Sequence, residues 1–434
     1  MIDIISKEEN SEFLEKLLSR SQLDFEDINI QVKEIIKRIK IDGDKALRDY
    51  TEKFDEIALE DFLVSDEEKV EALRNIDIDL KKDLTLARDN IEKFHKKQLR
   101  ESYYIEEADK LLGQIVRPIE KVGVYIPGGK ASYPSTVLMN VVPAKLAGVE
   151  EIIVVTPPGK GGKIKDSIIF AAGIAGADKI YKIGGAQAIA ALAFGTGQIP
   201  KVDKITGPGN IYVAMAKKEL SGYVGIDMIA GPSEIMIIAD EHANPKYIAA
   251  DMISQAEHDE MAASILAVDN LELARKVKEQ LKIQVEKLER KETIKKSFKD
   301  YGAIIITSSI EESIDLANKI APEHLEILVK EPFKIYKRIK NAGAIFLGEY
   351  SPEPVGDYFA GTNHTLPTSS TARFSSALSV DDFQKKTSLI YYSKEALEKS
   401  KDSIIRIAKE EGLTGHGNSV RIRFEEDLDE VGKR

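Results

Sequence analysis

Two patterns of apolar positions divide the chain. Over residues 1–110 apolar residues recur at helical spacing among many charges, as in 33–50 and 67–97, and predict a helical segment that holds no catalytic constellation. From near Ile115 the pattern changes. Short strand-like runs at 122–126, 152–156, 180–183, 235–239, 265–268, 303–307, 325–329 and 344–347 alternate with helical stretches. This alternation predicts an α/β fold of parallel sheets covered by helices. A local echo supports it: Ala147-Gly148-Val149 and Ala175-Gly176-Ala177 each place Gly after an apolar helix and before a strand, where a left-handed residue ends a helix. Near the end, 394–411 reads as a helix stopped by Gly412. Val420, Ile422 and Phe424 then alternate with Arg421 and Arg423, predicting a strand in a small C-terminal unit.

Composition narrows the function. The 434 residues carry a net charge of −11, which disfavours a nucleic-acid partner, because phosphate contacts need a basic surface. At ~100–200 residues per domain the chain holds about two to four domains. No apolar run reaches the ~18 residues of a membrane helix, and MIDIISKEEN lacks the basic-then-apolar layout of a signal peptide, so a cytoplasmic protein is expected. The absence of cysteine excludes disulfides, thiolate metal sites and a thiol nucleophile.

Glycine-marked loops come next. The segment from Gly123 to Ala131 misses the spacing of a phosphate-binding GxxxxGK[ST] loop by one residue and lacks its Ser/Thr, so nucleoside triphosphate hydrolysis is rejected. The dinucleotide fingerprint GxGxxG is also absent. Yet Pro127-Gly128-Gly129, Gly184-Gly185-Ala186-Gln187 and Gly207-Pro208-Gly209-Asn210 each follow a strand-like run and lead into a helix, while Gly231-Pro232-Ser233-Glu234 precedes a strand. Each alone reads as a tight turn. Together they favour a shared ligand crevice at strand ends.

The polar candidates are few. His95 sits in a charged helical stretch and His242 in an acidic turn; both read as surface residues. Gln255 and His258 stand three apart at the end of a helical pattern starting at Asn244, so they share a side. Glu323-His324 lies at the mouth of a strand, which suits a general-base pair and equally a capping Glu beside a packed His. The loop from Gly356 through Asp357 to His364 is rich in ligand-type side chains, and His416 lies between two glycines just after Glu411. Imidazole, carboxylate and amide oxygen without thiolate suit zinc or manganese. Spacing alone does not bring these loops together.

At these residues the chain resembles histidinol dehydrogenases over roughly residues 30–425. The motifs are GVYIPGG (123–129), IGGAQAIAALAFGT (183–196), KITGPGN (204–210), AGPSE (230–234), SQAEHD (254–259), PEHLE (322–326), VGDYFAGTNHTLPT (355–368) and EGLTGHGNS (411–419). The resemblance implies two Rossmann-like domains, at 111–232 on the NAD side and 233–375 with the zinc and the bases. It also implies a helical segment 1–110 packing with the second of these, and a small C-terminal domain 376–434 reaching the partner subunit. It implies oxidation of L-histidinol to L-histidine through histidinal, with one zinc per subunit and two NAD reduced. The implied zinc ligands are Gln255, His258, Asp357 and His416, and the paired bases are Glu323 and His324. The same Gln255, His258, His324, Asp357 and His416 would contact substrate, with Ser233 and Glu411. The implied NAD contacts are Tyr125, Gln187 and Asn210. The family forms homodimers with the active site at the subunit interface, so His416 and Glu411 would come from the partner chain. Readings that compete are NAD-dependent oxidation of another small polar alcohol on the same fold, a zinc hydrolase, and a metal-stabilised dimer without catalysis.

Overall fold

The computed structural model describes residues 2–6, 10–20, 26–128 and 132–425. Gly129, Lys130 and Ala131 of the first glycine loop lie outside the described residues, as do Met1 and residues 7–9 of the N-terminal stretch. The strands in chain order are β1 (Asp3–Ile5), β2 (Tyr103–Glu107), β3 (Lys110–Pro118), β4 (Lys121–Tyr125), β5 (Glu151–Thr156), β6 (Lys179–Lys182) and β7 (Lys204–Thr206). They continue as β8 (Gly225–Ile226), β9 (Glu234–Ala239), β10 (Ala263–Val268), β11 (Gly302–Ile306), β12 (His324–Leu328), β13 (Ala344–Leu347) and β14 (Gln384–Tyr392).

The predicted α/β alternation is what forms. One sheet runs β6-β5-β4-β7-β8 and a second runs β1-β11-β10-β9-β12-β13, with parallel pairing throughout both. Every residue of β9 and β10 is buried, as expected for parallel strands covered on both faces. Gly148 and Gly176 both end helices at positive φ, 90° and 91°. These two sheets lie in one compact unit, residues 1–99 and 118–383. The second unit comprises 100–117 and the chain from Gln384 onward, with the sheet β14-β3-β2.

Several expectations are corrected. The helical stretch 33–50 is two helices, Glu26–Asp42 and Asp44–Asp55, broken at Gly43, whose φ of 52° suits glycine. The stretch 67–97 is also two, Asp66–Asn75 and Ile78–His95, the second begun by Asp77 accepting from Asp79 N and Leu80 N. Among the described residues of this segment, β1 joins the second sheet by pairing with β11, and helix Asn10–Ser19 packs on it through Leu14 and Leu17. The later N-terminal helices pack on the first sheet instead, because their apolar stripes (Val32, Ile35, Ile39; Leu84, Ala87, Ile91) match its helical layers. Residues 103–117 form a hairpin of the second unit, so the boundary expected at 110 falls inside it. His95 is fully buried rather than solvated, with Nδ1 2.6 Å from Gln98 Oε1. Val420–Phe424 is not a strand: helix Thr414–Arg421 runs into a 3-10 turn, Ile422–Phe424. Val420 and Phe424 are four apart, so a helix half-buries both and leaves Ile422 58% exposed.

Candidate functional site

Glu323 and His324 come together where β9 and β12 begin side by side. Helix Ile310–Ile320 ends at Ala321, and Pro322 turns the chain into β12. Glu323 and His324 are thereby buried against the first residue of β9, 6% and 3% exposed. Glu234 N–H donates to Glu323 Oε2 at 2.9 Å. Glu234 O lies 3.1 Å from His324 Nδ1 and can only accept, so that nitrogen donates to it and Nε2 is the nitrogen left to exchange a proton. His324 Nε2 has no hydrogen-bond partner among the described residues. It faces Asp357 Oδ1 at 3.7 Å and Glu353 Oε1 at 4.0 Å, both on the short helix Glu353–Tyr358.

The charges explain the proton affinities. Burial pushes Glu323 up to about 8, against the neighbouring His324. Burial pulls His324 down, but the carboxylates of Glu323, Glu353 and Asp357 outweigh it and hold the imidazole up at about 10. Burial likewise raises Asp357, yet His324, His364 and His258 overcome that and keep its carboxylate below the usual range. Glu353 is pushed up to about 7 by burial, with Ser254 Oγ donating to its Oε2 at 3.3 Å.

Gln255 is the penultimate residue of helix Pro245–Ala256, and its side chain is fully buried. Neither its Oε1 nor its Nε2 has a protein partner among the described residues. An orphaned buried amide costs about 1–3 kcal/mol unless something else satisfies it. His258 follows just beyond the helix end, exposed and within the field of Asp357 and His324. The negative end of the helix dipole also favours a cation here. These residues fit a zinc ion, with Gln255 Oε1, His258 and Asp357 as an N/O donor set. His324, Glu353 and Asp357 also bring one ligand atom each within 4.8 Å of one another. Ser233 is half-buried at the mouth of β9. Glu411 and His416 are exposed in the second unit.

The other cluster lies at the carboxyl ends of the first sheet. Strand order reverses between β4 and β7, the crevice where open α/β sheets bind ligands. Tyr125 ends β4, and its hydroxyl accepts from Gly185 N at 3.1 Å. Burial pushes that phenol up to about 12. Gln187 is buried in the helix after β6, and Asn210 caps the helix after β7, accepting from Tyr212 N and Val213 N. Two helix N-termini thus flank the crevice, as phosphate binding prefers. Gly207 has φ 107°, and a Cβ there would lie 2.1 Å from Tyr125 O, so only glycine lets this loop close on β4. The loop after Asp357 ties the clusters together: His364 Nδ1 meets Asp357 O at 2.9 Å, His364 Nε2 meets Thr136 Oγ1 at 3.2 Å, and Asn363 donates to Met139 O at 2.6 Å.

The sequence reading missed Glu234 and Glu353. Glu353 stands four residues before Asp357, a helical spacing that was available as a signal. Glu234 acts through its backbone, which no residue type reveals.

The histidinol dehydrogenase family profile matches residues 18–424. A histidinol dehydrogenase of Clostridium acetobutylicum is 54% identical over 417 residues, covering 96% of this chain and 97% of that protein. One of Caldanaerobacter subterraneus is 54% identical over 424 residues, covering 97% and 98%. The crystal structure of histidinol dehydrogenase from Elizabethkingia anophelis superposes with a TM-score of 0.92 at 38% identity, covering 100% of this chain and 99% of that one. With the profile spanning the base pair, the zinc-type donors and the crevice alike, the chain belongs to the histidinol dehydrogenase family.

Proposed function

We infer that this chain oxidises L-histidinol to L-histidine through histidinal, reducing two NAD, as the last step of histidine biosynthesis. The observation that carries the chemistry is the buried Glu323–His324 pair, anchored on one residue's backbone with Asp357 facing His324 Nε2. Gln255, His258, Asp357 and the partner subunit's His416 would hold the zinc. Zinc, when bound, orients the substrate's hydroxyl and nitrogens, and NAD supplies the hydride acceptor.

The chain's own residues move the protons. His324, its Nδ1–H committed to Glu234 O, takes the hydroxyl proton on Nε2 as the C–H bond gives up its hydride; the step needs the neutral imidazole, which a cation held beside Asp357 would favour by offsetting the carboxylates that otherwise hold the ring protonated. The product of that half-reaction is the aldehyde. With no cysteine in the chain, water is the nucleophile that adds to it. Glu323 takes the proton from that water; a carboxyl poised near 8 suits a group that accepts and returns protons at neutral pH. His324 returns its proton to the aldehyde oxygen as water adds, so the hydrate is neutral and His324 is free to serve again as base when the hydrate loses its hydride. Ser233 and Glu411 bind the substrate, and Tyr125, Gln187 and Asn210 contact NAD.

The remaining organisation follows from the same reading. Within the first unit the first sheet and its helices form the NAD side and the second sheet carries the zinc and the bases, while the second unit reaches the partner subunit of a homodimer. Glu411 and His416 are exposed in the second unit, which supports their serving a neighbouring subunit's site. No helix among the described residues is long and apolar enough to cross a membrane, and the net charge is −11, which supports a cytoplasmic enzyme without a nucleic-acid partner. Comparing kcat/KM for L-histidinol with that for other small polar alcohols tests the assignment. L-histidinol is expected to lead; faster turnover of another alcohol would reassign the substrate.

A further inference from the structure

One residue's peptide groups hold both bases, and its side chain is anchored from far away in the sequence. Glu234 N–H binds Glu323 Oε2, and Glu234 O binds His324 Nδ1. The Glu234 side chain is itself buried and meets Arg20 of the N-terminal segment, Nη2 to Oε1 at 2.5 Å, across 214 residues of sequence. Arg20 is 2% exposed. Its Nη1 also donates to Met261 O at 2.8 Å and its Nη2 to Pro232 O at 3.3 Å, and the guanidinium lies 5.4 Å from the Tyr301 ring centre. Glu234 Oε1 accepts a further bond from Ser369 N at 3.2 Å. The guanidinium therefore grips both sides of Ser233-Glu234, the carbonyl before it and the carboxylate on it.

A buried ion pair is a poor source of net stability, because desolvation offsets its attraction. Its retention beside a catalytic template calls for another role. We propose that the Arg20–Glu234 pair is a positioning device: it fixes the Glu234 peptide groups and so holds Glu323 and His324 in their working geometry. The proposal rests on the reading of Glu323 and His324 as the base pair. The parallel ladder of β9 is the competing restraint on the same peptide.

The test uses the full-length, zinc-loaded enzyme with Arg20→Ala, Arg20→Lys and Glu323→Gln. Misplacing reacting groups by about 1 Å can cost on the order of 100-fold, so Arg20→Ala is expected to lower kcat at least ~10-fold from both histidinol and histidinal. KM for NAD should stay within about twofold, since Arg20 touches no NAD residue. Arg20→Lys keeps the charge but loses the planar fork, and should fall between Arg20→Ala and the parent. In the Glu323→Gln background the additional loss of histidinal oxidation from Arg20→Ala should shrink, because the two changes disable one unit. The proposal is overturned by folded Arg20→Ala with parental kcat, or by losses that add fully to Glu323→Gln. If Arg20→Ala does not fold, parental kcat in Arg20→Lys overturns it. Unchanged histidinal oxidation in Glu323→Gln alone would instead remove the base-pair reading, a separate failure from that of the anchor.

Discussion

Glu323 and His324 are neighbours in sequence but face one peptide of another strand, so their roles separate by what each touches. His324 Nδ1 is spent on Glu234 O, leaving Nε2 toward the carboxylates of Asp357 and Glu353. Glu323 Oε2 accepts from Glu234 N–H, so in the proposed reaction the proton of water goes to its other oxygen. Loss of a general base typically costs 10²–10⁴-fold, so Glu323→Gln should slow histidinal oxidation by about that factor and histidinol oxidation much less. Single-turnover traces started from each substrate measure the split, and equal losses would contradict it. Gln255 makes a second residue-scale test. Its amide is buried with no partner among the described residues, so replacing it by an apolar side chain of like size removes a desolvation cost. Gln255→Met is expected to raise the melting temperature of chelated protein, by about 1 kcal/mol of stability, while abolishing the extra stabilisation that added zinc gives the parent. A chelated variant less stable than the parent would mean the amide is satisfied by the chain after all.

At the scale of elements, most strands were legible because parallel strands buried on both faces are short apolar runs between turn signals, as in Glu234–Ala239 and Ala263–Val268. Helix breaks were less so: the apolar stripe continues across Gly43, and only the backbone at φ 52° ends the helix. The error at Val420–Phe424 has the same root, since a five-residue alternation also contains a four-residue helical step. The end of helix Asp44–Asp55 carries a cost no pattern shows. Asp55 Oδ2 is buried without a partner, and burial pushes the carboxyl up to about 6 from 3.8. Its negative charge also faces the negative end of the helix. Between about 3.8 and 6 the folded chain keeps a proton that the unfolded chain releases, so stability falls as pH rises through that window and stays lower above it. With solvent screening discounted, Asp55→Asn should stabilise the protein by about 1 kcal/mol at pH 7.5 and by almost nothing at pH 3.5. Thermal melts at the two pH values check this, and an equal gain at both would place the effect elsewhere.

The whole molecule divides its chemistry between opposite kinds of sheet edge. The crevice of Tyr125, Gln187 and Asn210 lies at carboxyl ends of the first sheet, where glycine loops after strands could be seen in the sequence. Glu323 and His324 lie at the amino ends of β9 and β12, which the usual rule for α/β sheets does not anticipate, and only folding brings Glu353 and Asp357 to them. The types of the candidate residues were therefore legible, but their meeting was not. Glu411 and His416 belong to the separate unit, and the shared-site reading makes a quantitative claim. Mixing His416→Ala with Glu323→Ala subunits, each inactive alone, should restore about a quarter of parental activity, since half the dimers are hybrids with one intact site of two. No recovery would confine each site to one chain. The central claim, a zinc-dependent four-electron oxidation, is tested most directly by counting NADH formed per L-histidinol consumed, with and without a chelator. Two NADH per histidinol, lost on chelation and restored by zinc, is the predicted result. One NADH per histidinol, or turnover indifferent to chelation, would contradict it.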